Sequence, residues 1–133
     1  MRIMIDTNIF ISAALFPDGR AAKALFKTFV PPYQAVVCDY VIDELKRKFR
    51  EKFPDRCDEL EVFLNTAMSA FEIVATPESA IGSESKIRDP KDRPILRAAI
   101  NAGVDLLLTG DKDFLESSVE TPGIISVAAF LEI

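Results

Sequence analysis

The chain opens on Arg2-Ile3-Met4-Ile5, a short apolar run without helical spacing, and the run stops on Asp6-Thr7-Asn8. A strand buried on both faces reads as a near-continuous apolar stretch. One that ends on a carboxylate delivers that group to the carboxyl edge of its sheet, where open α/β folds hold ligands. Val104-Asp105-Leu106-Leu107-Leu108-Thr109-Gly110-Asp111 repeats the design near the other end of the chain. Two strands of this kind, each ending on an acid beside a threonine, predict one shared acidic site.

The segments between them alternate. Ile9 to Leu15 reads as a helix that Asn8 or Thr7 can cap, and Pro17-Asp18-Gly19 is a turn. Ala21 to Phe29 carries apolar residues at helical spacing, Pro31-Pro32 ends it, and Gln34 to Cys38 is a second strand. Asp39 is placed to cap a helix from Tyr40 to about Phe53, with Ile42, Leu45, Phe49 and Phe53 inward and Glu44 on the margin of that stripe. Its other side carries Lys46, Arg47, Lys48, Arg50 and Lys52, which suits either a solvated face or a track for phosphates. A helix from Cys57 to Ala70 and a strand from Phe71 to Ala75 follow. Residues 76–87, with Pro77, Gly82 and several serines, form the longest irregular segment, readable as a flap over the site or as a surface connection. Pro94 lacks an N–H and fits only the first turn of a helix, so the helix through Ala102 must begin near Asp92, and Gly103 closes it. A short helix from Lys112 to Ser118, a strand from Ile124 to Val127 and a terminal turn or helix complete the chain. This alternation predicts a three-layer α/β/α sandwich with a central parallel sheet, one domain over residues 1–133.

Composition narrows the chemistry. Histidine is absent, which removes the serine triad, imidazole zinc sites and the commonest general base. What remains is carboxylates, hydroxyls, lysines, or a hard cation held by oxygens. A net charge of −5 argues against a broad basic surface, although lysines and arginines can still cluster locally. No apolar run approaches a membrane span, and the first strand turns acidic too soon for a signal peptide. A cytoplasmic setting, with Cys38 and Cys57 as reduced thiols, is therefore expected.

Four acids share one kind of position. Asp6 and Asp111 follow strands, whereas Glu44 and Asp92 stand in the first turns of helices, and a parallel sheet brings all these places to the same edge. Singly, each has an ordinary explanation: Asp92 as a helix-start residue, Asp111 as a loop acid, Glu44 as a member of a charged helix. Together they would repel one another unless a cation lay among them. An all-oxygen donor set points to Mg²⁺ or Mn²⁺, which can assist phosphodiester cleavage.

Asp6-Thr7-Asn8 after the first strand, Glu44 early in the helix after the second, Asp92 opening a helix, and Thr109-Gly110-Asp111-Lys112-Asp113-Phe114 after a late strand resemble the PIN-domain nucleases. Arg88 to Asp92 followed by Thr109 to Phe114 is similar to the subgroup of toxin components of toxin–antitoxin pairs (VapC-like). The resemblance spans essentially the whole chain. It implies a PIN-like fold and metal-dependent endoribonuclease activity on RNA. It also implies an acidic quartet of Asp6, Glu44, Asp92 and Asp111 that holds Mg²⁺ or Mn²⁺ and carries the catalysis. Asn8 and Thr109 match polar supporting positions, and Asp89 and Asp113 are further supporting acids. Lys46, Arg47 and Arg50, with Arg93 and Lys112 near the pocket, are the candidates for holding flanking phosphates. A protein antitoxin and a homodimer are the expected partners.

Two rivals come from other classes. A Mg²⁺-dependent phosphotransfer or phosphatase domain also sets Asp at strand ends. A receiver, however, would need its phosphoacceptor after the third strand, where Ala75-Thr76 stand. The phosphatase group prefers a second Asp two residues after the first, where this chain has Asn8. A non-catalytic PIN-like module that binds RNA or protein is the other, and the intact quartet weighs against it.

Overall fold

The computed structural model describes residues 1–133. Five strands, β1 (Arg2–Ile5), β2 (Gln34–Cys38), β3 (Phe71–Val74), β4 (Leu106–Leu108) and β5 (Gly123–Ile125), pair in parallel in the order β3-β2-β1-β4-β5. The helices are α1 (Thr7–Leu15), α2 (Arg20–Lys27), α3 (Asp39–Lys52), α4 (Cys57–Ala67), α5 (Arg93–Ala102), α6 (Lys112–Leu115) and α7 (Val127–Leu131). From β1 the chain steps outward to β2 and β3, then crosses back to β4 and β5. Right-handed crossovers therefore put α1 to α4 on one face and α5 and α6 on the other. The result is the expected three-layer α/β/α sandwich. The order differs from the 2-1-3-4-5 of a receiver, which removes that rival's scaffold.

β1 lies in the middle of the sheet with a layer on each side, which is why Ile3, Met4 and Ile5 can be apolar in succession. All three are fully buried. Burying three such side chains contributes about 5 kcal/mol or more, enough to anchor whatever follows the strand. The direction of winding reverses between β1 and β4, which are neighbours in register Ile3↔Leu106 to Ile5↔Leu108. A crevice at such a switch point is where open α/β sheets bind ligands, and Asp6 and Asp111 follow these two strands.

Local boundaries depart from the sequence reading in physically legible ways. α1 starts on Thr7 because Asp6 itself is the cap, its carboxylate accepting from the Thr7 N–H at 2.7 Å. The inward stripe of α3 is Val41, Glu44, Leu45 and Phe49 rather than Ile42, Leu45, Phe49 and Phe53, so Glu44 lies inside the stripe and is buried. Asp39 is the first residue of α3, not its cap. Its carboxylate accepts from the Thr76 N–H at 2.9 Å and hydroxyl at 2.6 Å, tying the chain just beyond β3 to the helix start. α4 stops at Ala67 and a 3-10 turn, Met68–Ala70, leads into β3. α6 ends at Leu115, earlier than the spacing suggested, and β5 runs Gly123–Ile125 because Ser126 caps α7 through the Ala129 N–H. Gly103 closes α5 in the left-handed region at φ 66, a conformation that glycine adopts without steric cost.

Residues 76–87 are a strapped wall. A 3-10 turn, Gly82–Lys86, presents Glu84 to α5, where Arg97 donates to both of its oxygens at 2.8 and 2.9 Å. A further Arg97 nitrogen reaches the Pro77 carbonyl at 2.8 Å, and Glu84 also accepts from the Ile81 N–H. The two side chains are only 14% and 7% exposed. Removing one partner leaves the other buried and uncompensated. Arg97→Met should therefore cost about 3 kcal/mol in urea unfolding at pH 7. Arg97→Lys should recover only part, since an ammonium cannot make the paired bonds. Arg97 holds the Glu84 carboxyl below the ordinary carboxylate range. The pair's contribution is thus fully present above that range and is lost as pH falls below it, through the lowered pKa of the folded state.

Candidate active site

Asp6 is 3% exposed, because β1 carries it to the sheet edge while α1 begins immediately beneath it. Three groups receive it. The Thr7 N–H donates to Oδ1 at 2.7 Å, the Thr109 hydroxyl donates to Oδ2 at 2.7 Å, and the Asp6 N–H itself donates to the Leu108 carbonyl at 3.1 Å. Burial is the dominant influence and pushes the carboxyl up to about 6. The hydrogen bonds from Thr109 and Thr7 pull the other way, and the charges of Asp111 and Glu44 add to the rise.

Thr109, fully buried after β4, joins the two strand ends. Its oxygen also accepts from the Asp111 N–H at 3.0 Å, and Asp111 in turn caps α6 through the Asp113 N–H at 2.8 Å. Thr7 makes the corresponding link on the other side, donating its hydroxyl to Glu44 Oε1 at 2.5 Å. Glu44 further faces Arg47 at 3.7 Å and Lys48 at 4.0 Å. Thr7 is the connection the sequence reading missed. Its only signal there was a hydroxyl beside the acid, which also reads as a helix cap.

Asp92 stands just before α5. Its Oδ2 is buried and has no hydrogen-bond partner. Burial, then the charges of Asp111 and Asp6, push this carboxyl up to about 7, with Asp89 adding to the rise. Oxygens of Asp89, Asp92 and Asp113 lie within 4.8 Å of one another. The tightest grouping therefore includes two acids that the sequence reading ranked as supporting, with Asp92 common to both sets. Asn8, Glu44, Asp89, Asp92 and Asp111 line one cleft of about 370 Å³ together with Arg47, Lys48, Lys52 and Lys91.

The cations divide. Arg47 and Arg50 face clefts on the α3 side, and Lys112 lines a separate cleft on the α6 side. Lys46, two residues from Glu44 and thus off its face of the helix, lines none of them. Arg93 donates to the Ile87 carbonyl at 2.9 Å and is likewise absent from the cleft walls.

The donor set fits a hard divalent cation. It is all oxygen, it holds two carboxyls raised by burial and mutual repulsion, and one buried oxygen lacks any partner. A raised carboxyl opposes folding once it ionises. For Asp6 the effect is on the order of 3 kcal/mol at pH 7, absent below the ordinary carboxylate pKa and growing until about pH 6. In EDTA, the melting temperature of the wild type should therefore fall between pH 5 and 7. Asp6→Asn can keep both neighbours, accepting from Thr7 and donating to Thr109. It should melt higher than wild type at pH 7, with the gap narrowing toward pH 5. Parallel melting curves for the two proteins across that range would remove the buried charge as the cause.

The fold has solved relatives. VapBC2 from Rickettsia felis, in a crystal structure bound to a DNA fragment from their promoter, superposes with a TM-score of 0.70 at 18% identity, covering 95% of this chain and 98% of that one. DNA-bound VapBC from Salmonella typhimurium gives 0.69 at 14% identity, covering 96% and 98%. The PIN domain endonuclease Utp24 gives 0.58 at 20% identity, covering 97% and 86%. At these identities the likeness speaks for the fold. Among curated proteins, the uncharacterized protein MJ1680 of Methanocaldococcus jannaschii is 26% identical over 120 residues, 86% of this chain and 74% of that protein. The family model described as PIN domain matches residues 2–113, from the first residue of β1 through the last acid of the cluster, and the chain belongs to the PIN domain family.

Proposed function

We propose that the protein is a metal-dependent endoribonuclease, the toxin component of a toxin–antitoxin pair. The observation that carries the reading is the buried, unpartnered oxygen of Asp92 set among the carboxylates of Asp89 and Asp113, beside Asp6, whose carboxyl burial also raises. Without a cation Asp92 relieves the repulsion by keeping a proton shared with Asp111, and a bound cation would take that proton's place. Asp6, Asp92 and Asp111 are the residues that would hold Mg²⁺ or Mn²⁺, with Asp89, Asp113 and Glu44 close by. When bound, such an ion lowers the pKa of water and neutralises charge developing on a phosphoryl oxygen.

The chain's own groups do the positioning. Thr109 fixes Asp6 and Thr7 fixes Glu44, so neither carboxylate turns freely. In this reading Glu44, with one oxygen held by Thr7, orients the attacking water. Asn8 lines the same cleft, and Arg47 and Lys48 offer positive charge to a phosphate there.

The resemblance to toxin components, with two VapBC structures among the fold's relatives, supports a protein antitoxin as partner. An apolar groove of about 450 Å³ between α1, α2 and α4, lined by Ala13, Phe26, Phe29, Val62, Phe63 and Ala67, suits the apolar face of a partner's helix. A homodimer in the cytoplasm is the assembly we assign. No helix is long and apolar enough to cross a membrane.

The deciding assay is RNA incubated with protein and Mn²⁺, against an EDTA control. Wild type should cut and EDTA should stop it. Asp6→Asn should be inactive while remaining folded, and Thr109→Val should lose about 10- to 100-fold as a residue that orients a ligand. Cleavage by Asp6→Asn at the wild-type rate, or cleavage indifferent to EDTA, would overturn the proposal.

A further inference from the structure

Half of the chain's lysines and arginines gather at the sheet edge that carries the acids. Eight of the sixteen line three adjoining clefts, although the protein's net charge is −5. The acid cleft is the middle one. On its α3 side lies a cleft of about 440 Å³ with Tyr40, Arg50 and Asp43, sharing Glu44, Arg47 and Lys91 with it. On the other side lies a cleft of about 370 Å³ made by Lys86, Arg88, Lys112, Asp113, Glu116 and Ser117. Asp113 joins it to the acids, since its carboxylate is in the group with Asp89 and Asp92.

This last cleft is built. Ile87 is extended (φ −88, ψ 123) and fully buried, whereas its neighbours Lys86, at the end of the 3-10 turn, and Arg88 are both exposed and line the cleft together. The Glu84–Arg97 strap holds the turn that leads into them, and Arg93 holds the Ile87 carbonyl. Arg88 is 86% exposed, and both nitrogens that it offers Asp113 meet the same oxygen, Oδ1, at 2.9 and 2.8 Å. The rest of its fork of N–H donors is left for another acceptor. An exposed pair of this kind adds little stability, so stability does not account for the placement.

We infer that the Lys86–Arg88–Lys112 cleft is a phosphate-binding subsite for an RNA strand that runs along α3, crosses the acids, and leaves over α6. Arg88 grips the backbone of the strand at the exit. The inference rests on the nuclease reading for its direction through the acids. RNA fits better than an acidic protein because the cleft has no apolar lining residue, whereas protein interfaces depend on apolar anchors. Three cations there face two acids, so each cation matters individually to an incoming phosphate.

The test measures binding of a fluorescent single-stranded oligoribonucleotide to Asp6→Asn protein in Mg²⁺ over a range of salt. Lys86→Ala and Arg88→Ala added to that background should each weaken binding about fivefold. Each should also reduce the slope of log affinity against log salt by about 0.7. Arg88→Lys should restore part of the loss, and Lys23→Ala, on α2 away from these clefts, should change nothing. Lys86 makes no bond to the acids, so its variant reads the cleft without disturbing Asp113. Unchanged affinity and slope in both alanine variants would overturn the subsite. So would Arg88-dependent binding of poly-glutamate without Arg88-dependent binding of RNA, which would assign the cleft to an acidic protein. The two readings separate cleanly. Wild type that cuts RNA while these variants bind normally sinks the subsite alone. Wild type that cuts nothing while the variants lose RNA sinks the nuclease reading alone.

Discussion

A carboxylate at the end of the buried central strand is expensive to ionise, and the site is arranged around that expense. Asp6 follows three fully buried apolar residues in the middle of the sheet, so water cannot solvate it. Two hydrogen bonds to the carboxylate, from Thr7 and Thr109, offset part of the penalty but leave the group near 6 rather than in the ordinary range. The hydroxyls that serve the acids also join elements: Thr109 binds β1 to the loop after β4, and Thr7 binds the start of α1 to α3. The same contacts that make the acid tolerable therefore fix where its neighbours stand.

The strap between the 3-10 turn and α5 works by a different kind of charge pairing. Glu84 and Arg97 are almost entirely out of water, yet each is matched, and a further Arg97 nitrogen donates to the Pro77 and Glu78 carbonyls. Among the acids of the site only Asp113 has a cation as close, the exposed Arg88 at 2.8 Å. Glu44 meets Arg47 and Lys48 only at 3.7 and 4.0 Å, and Asp92 meets none. One charge cluster is closed and structural, the other is open and left short of positive charge. The same fold that satisfies Glu84 so fully leaves Asp92 without a matching cation, and that contrast is what supports the proposed metal site.

Much of this was legible in the residues because the relevant signals are local. Apolar runs that stop on Asp6 and Asp111 announce strand ends, Pro94 fixes the start of α5, and Gly103 marks its close; these gave the order of elements and the edge where the acids meet. The readings that slipped concern where side chains point. Whether Ile42 or Val41 faces the core is a rotation of α3 by one position, and tertiary packing chooses it. That choice took Glu44 from the margin into the stripe. Arg93 and Arg88 look alike in sequence, but the turn at Pro90 to Asp92 sends Arg93 back to the Ile87 carbonyl and leaves Arg88 at the acids. The Glu84–Arg97 pair joins a 3-10 turn to α5 across thirteen positions that include a bend and a turn, and no periodicity could announce it.

The placement of charge also resolves an apparent conflict between an acidic protein and a polyanionic substrate. Interactions between exposed charges fade over about 10 Å in ordinary salt, so net charge is a poor guide to what a cleft feels. Here the cations stand on both sides of the acids and the apolar groove lies elsewhere, among α1, α2 and α4. A phosphate strand and an apolar helix would thus meet separate surfaces and need not compete by direct contact. A partner that silences the site from the groove would have to do so with a segment reaching around to the acids, or by shifting α1, whose first residue holds Glu44. The second route needs only a small movement, because Thr7 is at once the start of the helix that lines the groove and the hydroxyl that holds the acid.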